Sequence, residues 1–149
     1  MTKTTKKTTM KQTDYESWFA RSVGNWSSER RYLYGPKRKA DNYKTKFSVN
    51  TEGPLVVVTW DGDMSDGEMK MTVEGNKLNR DIGYFTDQPT QSDLTLVDDD
   101  TLVMVTTYDG TTYREEIRML FEDTVRLRQT VATSGDKITL VGQYFEERV

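Results

Sequence analysis

Residues 113–130 read YREEIRMLFEDTVRLRQT. Two runs, 112–121 and 125–131, carry β-branched and aromatic residues in alternation with polar ones, and a turn signal at Glu122–Asp123 separates them, which predicts a β-hairpin. With Glu122, Asp123 and Thr124 as the connection, Phe121 pairs with Val125, Met119 with Leu127 and Arg118 with Arg128. One face then carries Tyr113, Glu115, Ile117, Met119, Leu127 and Gln129, and the other carries Arg114, Glu116, Arg118, Arg126, Arg128 and Thr130. Like charges directly opposed across strands destabilise a sheet, so Arg118 facing Arg128 points to an anion bound between them. The bland alternative is a solvated outer face whose charge is balanced by acids such as Asp93 or Asp109. A shorter turn shifts the register and exchanges the faces.

The same punctuation extends on both sides of this hairpin. Strand-like runs lie at 55–60, 68–73, 101–108 and 137–145, separated by Asn, Asp and Gly turn signals roughly 5 to 13 residues apart. Eight to ten such strands in sequence normally curl and close, removing their edges. The expected fold is mainly β: an up-and-down antiparallel β-barrel with an N-terminal helix. Thr13 and Glu16 have capping-box spacing, Tyr15, Trp18, Phe19 and Val23 share an apolar face, and Gly24 suits the helix stop. Residues 1–12, with four lysines among threonines, are expected to be a disordered basic tail, and 13–149 a single domain.

Composition removes several kinds of chemistry. The chain has no Cys and no His, which excludes disulfides, thiol nucleophiles, histidine bases and the usual zinc clusters. A net charge of −3 argues against a nucleic-acid partner. No window is long and apolar enough for membrane insertion, and the first residues lack the apolar stretch of an export signal, so a cytoplasmic protein is expected.

Four segments in order give the chain a family likeness. FARSVGNWSSERRYLY (19–34), with Ser22, Gly24, Trp26, Ser28 and Arg30 at fixed spacing, and EEIRMLFEDTVRLRQT (115–130) resemble the S-type phycobiliprotein lyases, the CpeS/CpcS family. WDGDM (60–64) and RDIGYF (80–85) are similar to that family's mid-chain segments. Met119 and Leu120 stand where the family usually has aromatics, Gln129 interrupts its arginine–threonine pair, and FEDT lacks its Pro-Asn turn.

The resemblance implies a lipocalin-like, ten-stranded barrel that binds a phycobilin, here expected to be phycoerythrobilin, and delivers it to a cysteine of an apo-phycobiliprotein, expected to be a phycoerythrin subunit. It implies Arg126 and Arg128 as propionate clamps, with Arg118 as a helper from the pairing above. Glu116 is the implied partner of the pyrrole N–H groups, and Trp60 the ring that packs on the tetrapyrrole. Glu115 would face the other way. Ser22, Gly24, Trp26 and Arg30 are expected to fix the helix-to-barrel junction. No permanent cofactor or metal is implied, and pairing as a homodimer is left open. In a eukaryotic alga the compartment would be the plastid stroma. Two rivals share the barrel: a fatty-acid-binding-type carrier of a carboxylate ligand, and a ligand-free structural barrel whose arginine face is solvent-exposed.

Overall fold

The computed structural model describes residues 10–35, 39–63, 65–82 and 88–149. Most of the expected basic tail, Met64 of WDGDM and the Gly83–Phe85 part of RDIGYF lie outside the described residues. A helix, α1 (Gln12–Arg21), precedes ten strands: β1 (Gly24–Tyr34), β2 (Lys39–Glu52), β3 (Leu55–Gly62), β4 (Asp66–Glu74), β5 (Lys77–Arg80), β6 (Thr90–Leu96), β7 (Thr101–Tyr108), β8 (Thr111–Leu120), β9 (Val125–Ser134) and β10 (Lys137–Arg148). Each strand pairs antiparallel with its neighbours in sequence, and β1 pairs with β10, so the sheet closes as an up-and-down barrel without edges.

α1 closes one end. It begins two residues earlier than the capping-box reading of Thr13 and Glu16: the N-cap is Lys11, whose amide donates to the Asp14 carboxylate at 2.7 Å. Tyr15, Trp18 and Phe19 are buried as the periodicity predicts, whereas Val23 is exposed. The helix stops at Ser22, and Gly24 is instead the first residue of β1. With a φ of +132° and Arg148 Nη1 only 2.6 Å from where a β-carbon would stand, that position accepts glycine for both backbone and space. Tyr15 Oη donates to Leu94 O at 3.2 Å and Trp18 Nε1 to Asp100 O at 3.1 Å, tying the helix to the ends of β6 and β7. Beneath it Trp26, Phe47, Met71, Val73, Leu78, Leu102 and Met119 fill the interior.

The β8–β9 connection corrects the expected register. It has four residues, 121–124, so Leu120 rather than Phe121 faces Val125, and Ile117 rather than Arg118 faces Arg128. Phe121, Glu122 and Asp123 all adopt positive φ, at 51°, 55° and 63°. That conformation costs about 1–2 kcal/mol per non-glycine residue, and distant groups hold it. Arg21 forks onto the Asp123 carboxylate at 2.7–3.2 Å, and Arg148 Nε donates to Asp123 O at 3.0 Å. Thr124 Oγ1 also donates to Phe121 O at 2.6 Å. A one-residue change of register turns one strand over relative to its partner. Arg126 and Arg128 therefore share the inner face with Glu115, Ile117 and Met119, while Glu116 and Arg118 point outward.

Candidate functional site in the barrel interior

Toward the strand ends remote from α1 the barrel encloses a cavity of about 300 Å³. Its wall is built by alternation: inward positions of β1 supply Arg30, Tyr32 and Tyr34, those of β2 Tyr43 and Phe47, β3 supplies Trp60, and β9 supplies Arg126 and Arg128. The predicted Trp60, Arg126 and Arg128 are thus brought together across the barrel. Arg126 and Arg128 are each only 6% exposed, which removes the solvated-face reading and with it the ligand-free barrel's expected exposed arginines.

Two glutamates balance part of this charge. Glu146, fully buried on β10, pairs with Arg126 Nε at 3.3 Å and Arg128 Nη1 at 3.4 Å. Glu115, also buried, pairs with Arg80 Nη1 at 3.2 Å and stands 3.9 Å from Arg128 Nη2. Burial opposes ionisation of Glu146, but the guanidiniums of Arg128, Arg126 and Arg30 outweigh it and hold the carboxyl below its ordinary range. Arg30 is oriented by Ser28, whose Oγ accepts from Arg30 Nε at 3.1 Å. In this cluster Arg30, Arg80, Arg126 and Arg128 gather around Glu115 and Glu146, four cations and two anions among the described residues.

Aromatic faces carry the guanidiniums. Arg128 lies 4.4 Å from the Tyr144 ring centroid with Arg30 at 5.3 Å from the same ring, and Arg126 lies 5.4 Å from both Trp26 and Phe47. Burial pushes the Tyr144 phenol well above its ordinary value, so it stays neutral. An arginine keeps its charge in such surroundings and presents a planar fork, which fits the site for carboxylates.

The other predicted positions fall elsewhere. Glu116 and Arg118 line a second groove of about 780 Å³ along β2, β1, β10, β9 and β8, with Arg31, Lys44, Leu127 and Phe145; it shares Arg30, Tyr43 and Arg128 with the cavity. Arg118 Nε donates to Thr101 Oγ1 at 2.8 Å. The four-residue turn is the reason: it leaves Glu116 opposite Gln129 and Arg118 opposite Leu127, away from the cavity. Ser22 and Trp26 do sit at the junction, where Trp26 Nε1 donates to Ser22 O at 2.8 Å. Arg30, grouped with them from the sequence, instead lines the cavity. Glu146 was missed altogether; the signal for it is the i, i+2 series Tyr144, Glu146 on the inner face of the last strand. Arg80 opens the RDIGYF segment with no role that the sequence discloses, yet its guanidinium is buried on Glu115 and 3.4 Å from Met104 Sδ.

Comparison with known proteins follows the same lines. A family model described as CpeS-like protein matches residues 55–149. A protein of Nostoc sp. strain PCC 7120 named "Putative phycocyanobilin lyase CpcS 2" is 24% identical, over 95% of this chain and 94% of its own length. One of Picosynechococcus sp. strain PCC 7002 named "Putative chromophore lyase CpcV" is also 24% identical, over 89% and 80%. Among solved structures, the S-type phycobiliprotein lyase CpeS of Guillardia theta superposes with a TM-score of 0.72 at 18% identity, covering 91% of this chain and 92% of that one. This last likeness concerns the fold.

Proposed function

The chain belongs to the CpeS-like protein family, and we propose that it is a bilin lyase: it binds a linear tetrapyrrole and attaches it to a cysteine of an apo-phycobiliprotein. The observation that carries the reading is the buried guanidinium cluster of Arg126 and Arg128 beside an aromatic-walled cavity. A bilin brings a flat conjugated body and two propionates, and so matches both the walls and the charge. Arg126 and Arg128, with Arg30, clamp the propionates, while Glu115 and Glu146 fix the guanidinium forks from behind.

The carboxylate role read for Glu116 passes to Glu115. Glu115 Oε2 is buried 3.9 Å from Arg128 Nη2 and does not line the cavity, so its charge acts on the pyrrole N–H groups through the field of the cluster and not by direct contact. A carboxylate there favours the protonated chromophore, a better electrophile. The acceptor's thiol adds across the ethylidene double bond of ring A: a sulfur–carbon bond forms, the adjoining carbon takes the proton, and nothing leaves. The chain has no Cys or His, and none is needed, since the nucleophile belongs to the partner. A cavity of about 300 Å³ is at the small end for ligand sites. Part of a four-ring chromophore therefore projects past Tyr34 and Ile82, within reach of an acceptor.

The test is attachment. The protein is mixed with phycoerythrobilin, and in parallel with phycocyanobilin, the bilin in one relative's name, and an apo-phycoerythrin subunit is then added. A red-shifted, sharpened band followed by a denaturation-resistant, zinc-fluorescent adduct supports the lyase. Binding without an adduct on any phycobiliprotein subunit identifies a carrier, and no spectral change with either bilin rejects the proposal.

A further inference from the structure

One wall of the cavity depends on a missing β-carbon. Trp60 on β3 stands directly opposite Gly67 on β4. A β-carbon at Gly67 would lie 2.3 Å from Trp60 Cζ2, 2.7 Å from Cε2 and 2.9 Å from Cη2, all well inside the roughly 3.5–4.0 Å at which carbon atoms pack. The indole therefore lies flat across the backbone of residue 67. Gly67 has no left-handed φ, so the room it leaves, and not its backbone freedom, distinguishes it from alanine here. The indole is also held at its nitrogen: Trp60 Nε1 donates to Ser65 Oγ at 3.2 Å. Trp60 and Ser65 both border the cavity, on the wall that shares it with Arg126 and Arg128.

We propose that Gly67 and Ser65 are positioning residues for Trp60. Gly67 lets the ring lie back against the barrel wall, Ser65 fixes its direction, and together they keep the cavity wide enough to admit a flat, conjugated ligand against the indole face. The identity of that ligand rests on the bilin reading above; the placement of the ring does not. A methyl group at residue 67 lifts the indole off the wall, and the cavity is the side with space to receive it. Overpacking against a rigid ring is the physical cost.

The experiment is a double-mutant cycle on the full-length protein with Gly67→Ala, Trp60→Phe and both together, plus Ser65→Ala. Each variant is followed by phycoerythrobilin absorption titration, near-UV circular dichroism and thermal unfolding. Gly67→Ala alone is expected to weaken bilin binding about tenfold or more and to change the tryptophan dichroism. Added to Trp60→Phe it is expected to change affinity less than about twofold, because the phenyl ring lacks the benzo atoms that meet the new methyl. Ser65→Ala is expected to shift the absorption band of bound bilin with a weakening of about threefold, the loss of one exposed hydrogen bond.

Equal weakening by Gly67→Ala in the two backgrounds overturns the proposal, as does unchanged dichroism and affinity. If Gly67→Ala alone fails to unfold cooperatively, the Ser65→Ala band shift decides: its presence supports the assignment and its absence refutes it. If wild-type protein binds no bilin, the functional reading fails and the dichroism cycle decides the positioning alone, a change confined to the Trp60 background supporting it and equal changes refuting it.

Discussion

Replacing Arg128 with alanine separates a buried clamp from a surface charge. Arg128 lies between Glu146 at 3.4 Å and Glu115 at 3.9 Å and is 6% exposed. Its removal leaves Glu146 with Arg126 and Arg30 and Glu115 with Arg80, so the cost is that of a lost charged hydrogen bond, about 1.5–3 kcal/mol. Against a total stability of about 5–15 kcal/mol, that is still a sizeable fraction. At about 2–4 °C per kcal/mol for a domain of this size, the melting temperature should fall by roughly 3–12 °C. Arg118 provides the contrast, because the four-residue turn puts it outside with one hydrogen bond to Thr101. Arg118→Ala should cost about 0.5–1.5 kcal/mol. Thermal unfolding of both variants by circular dichroism at pH 7 makes the comparison, and bilin titration of each should show loss of affinity for Arg128→Ala only. Equal melting shifts in the two variants, or a larger one for Arg118→Ala, would refute the inner and outer assignment of the hairpin faces.

Other consequences follow from the same cluster and turn. Glu115→Gln should slow bilin transfer at least tenfold while Glu116→Gln, on the outer face, transfers at the wild-type rate; single-turnover attachment kinetics measure both. In acid, the unfolded chain's carboxyls take up protons at about pH 4, whereas folded Glu146 and Asp123, both with lowered pKa values, resist. Their stabilisation is full above that range and is lost as pH falls through the folded values. The stability gap between wild type and Glu146→Gln should thus narrow below about pH 4.5, as read from urea unfolding at a series of pH values. Glu122→Gly, at an exposed residue with a φ of 55°, should raise stability by about 1 kcal/mol, measured as a higher urea midpoint.

The strands that could be read from the sequence are those whose inner face is apolar. β4 alternates Met69, Met71 and Val73 inward, so the period of two is visible, while β3 and β7 show as continuous apolar runs at 55–58 and 102–105. β1 and β6 turn Ser28, Arg30 and Ser92 toward the interior, so polar residues stand on both faces and the alternation vanishes. β1 lines the cavity and lost its signal in this way, whereas β3 and β9 line it too and stayed legible, and β6 does not border it. The register of the decisive hairpin was hidden for a different reason. Nothing in Phe121, Glu122 and Asp123 announces three positive φ values, because the groups that impose them, Arg21 and Arg148, lie far away in sequence. The arginines of β9 were legible as a site because like charges crowd there. Glu146 was not, since its one signal, the alternation with Tyr144, marks an inner face and not a charge.

The most direct measurement is a crystal structure of the protein loaded with phycoerythrobilin. The account predicts the chromophore inside the barrel, its propionates within hydrogen-bonding distance of Arg126 and Arg128, and one ring at the open end beside Trp60. A chromophore seated in the second groove on Glu116 and Arg118, with the barrel cavity empty of ligand, would contradict it.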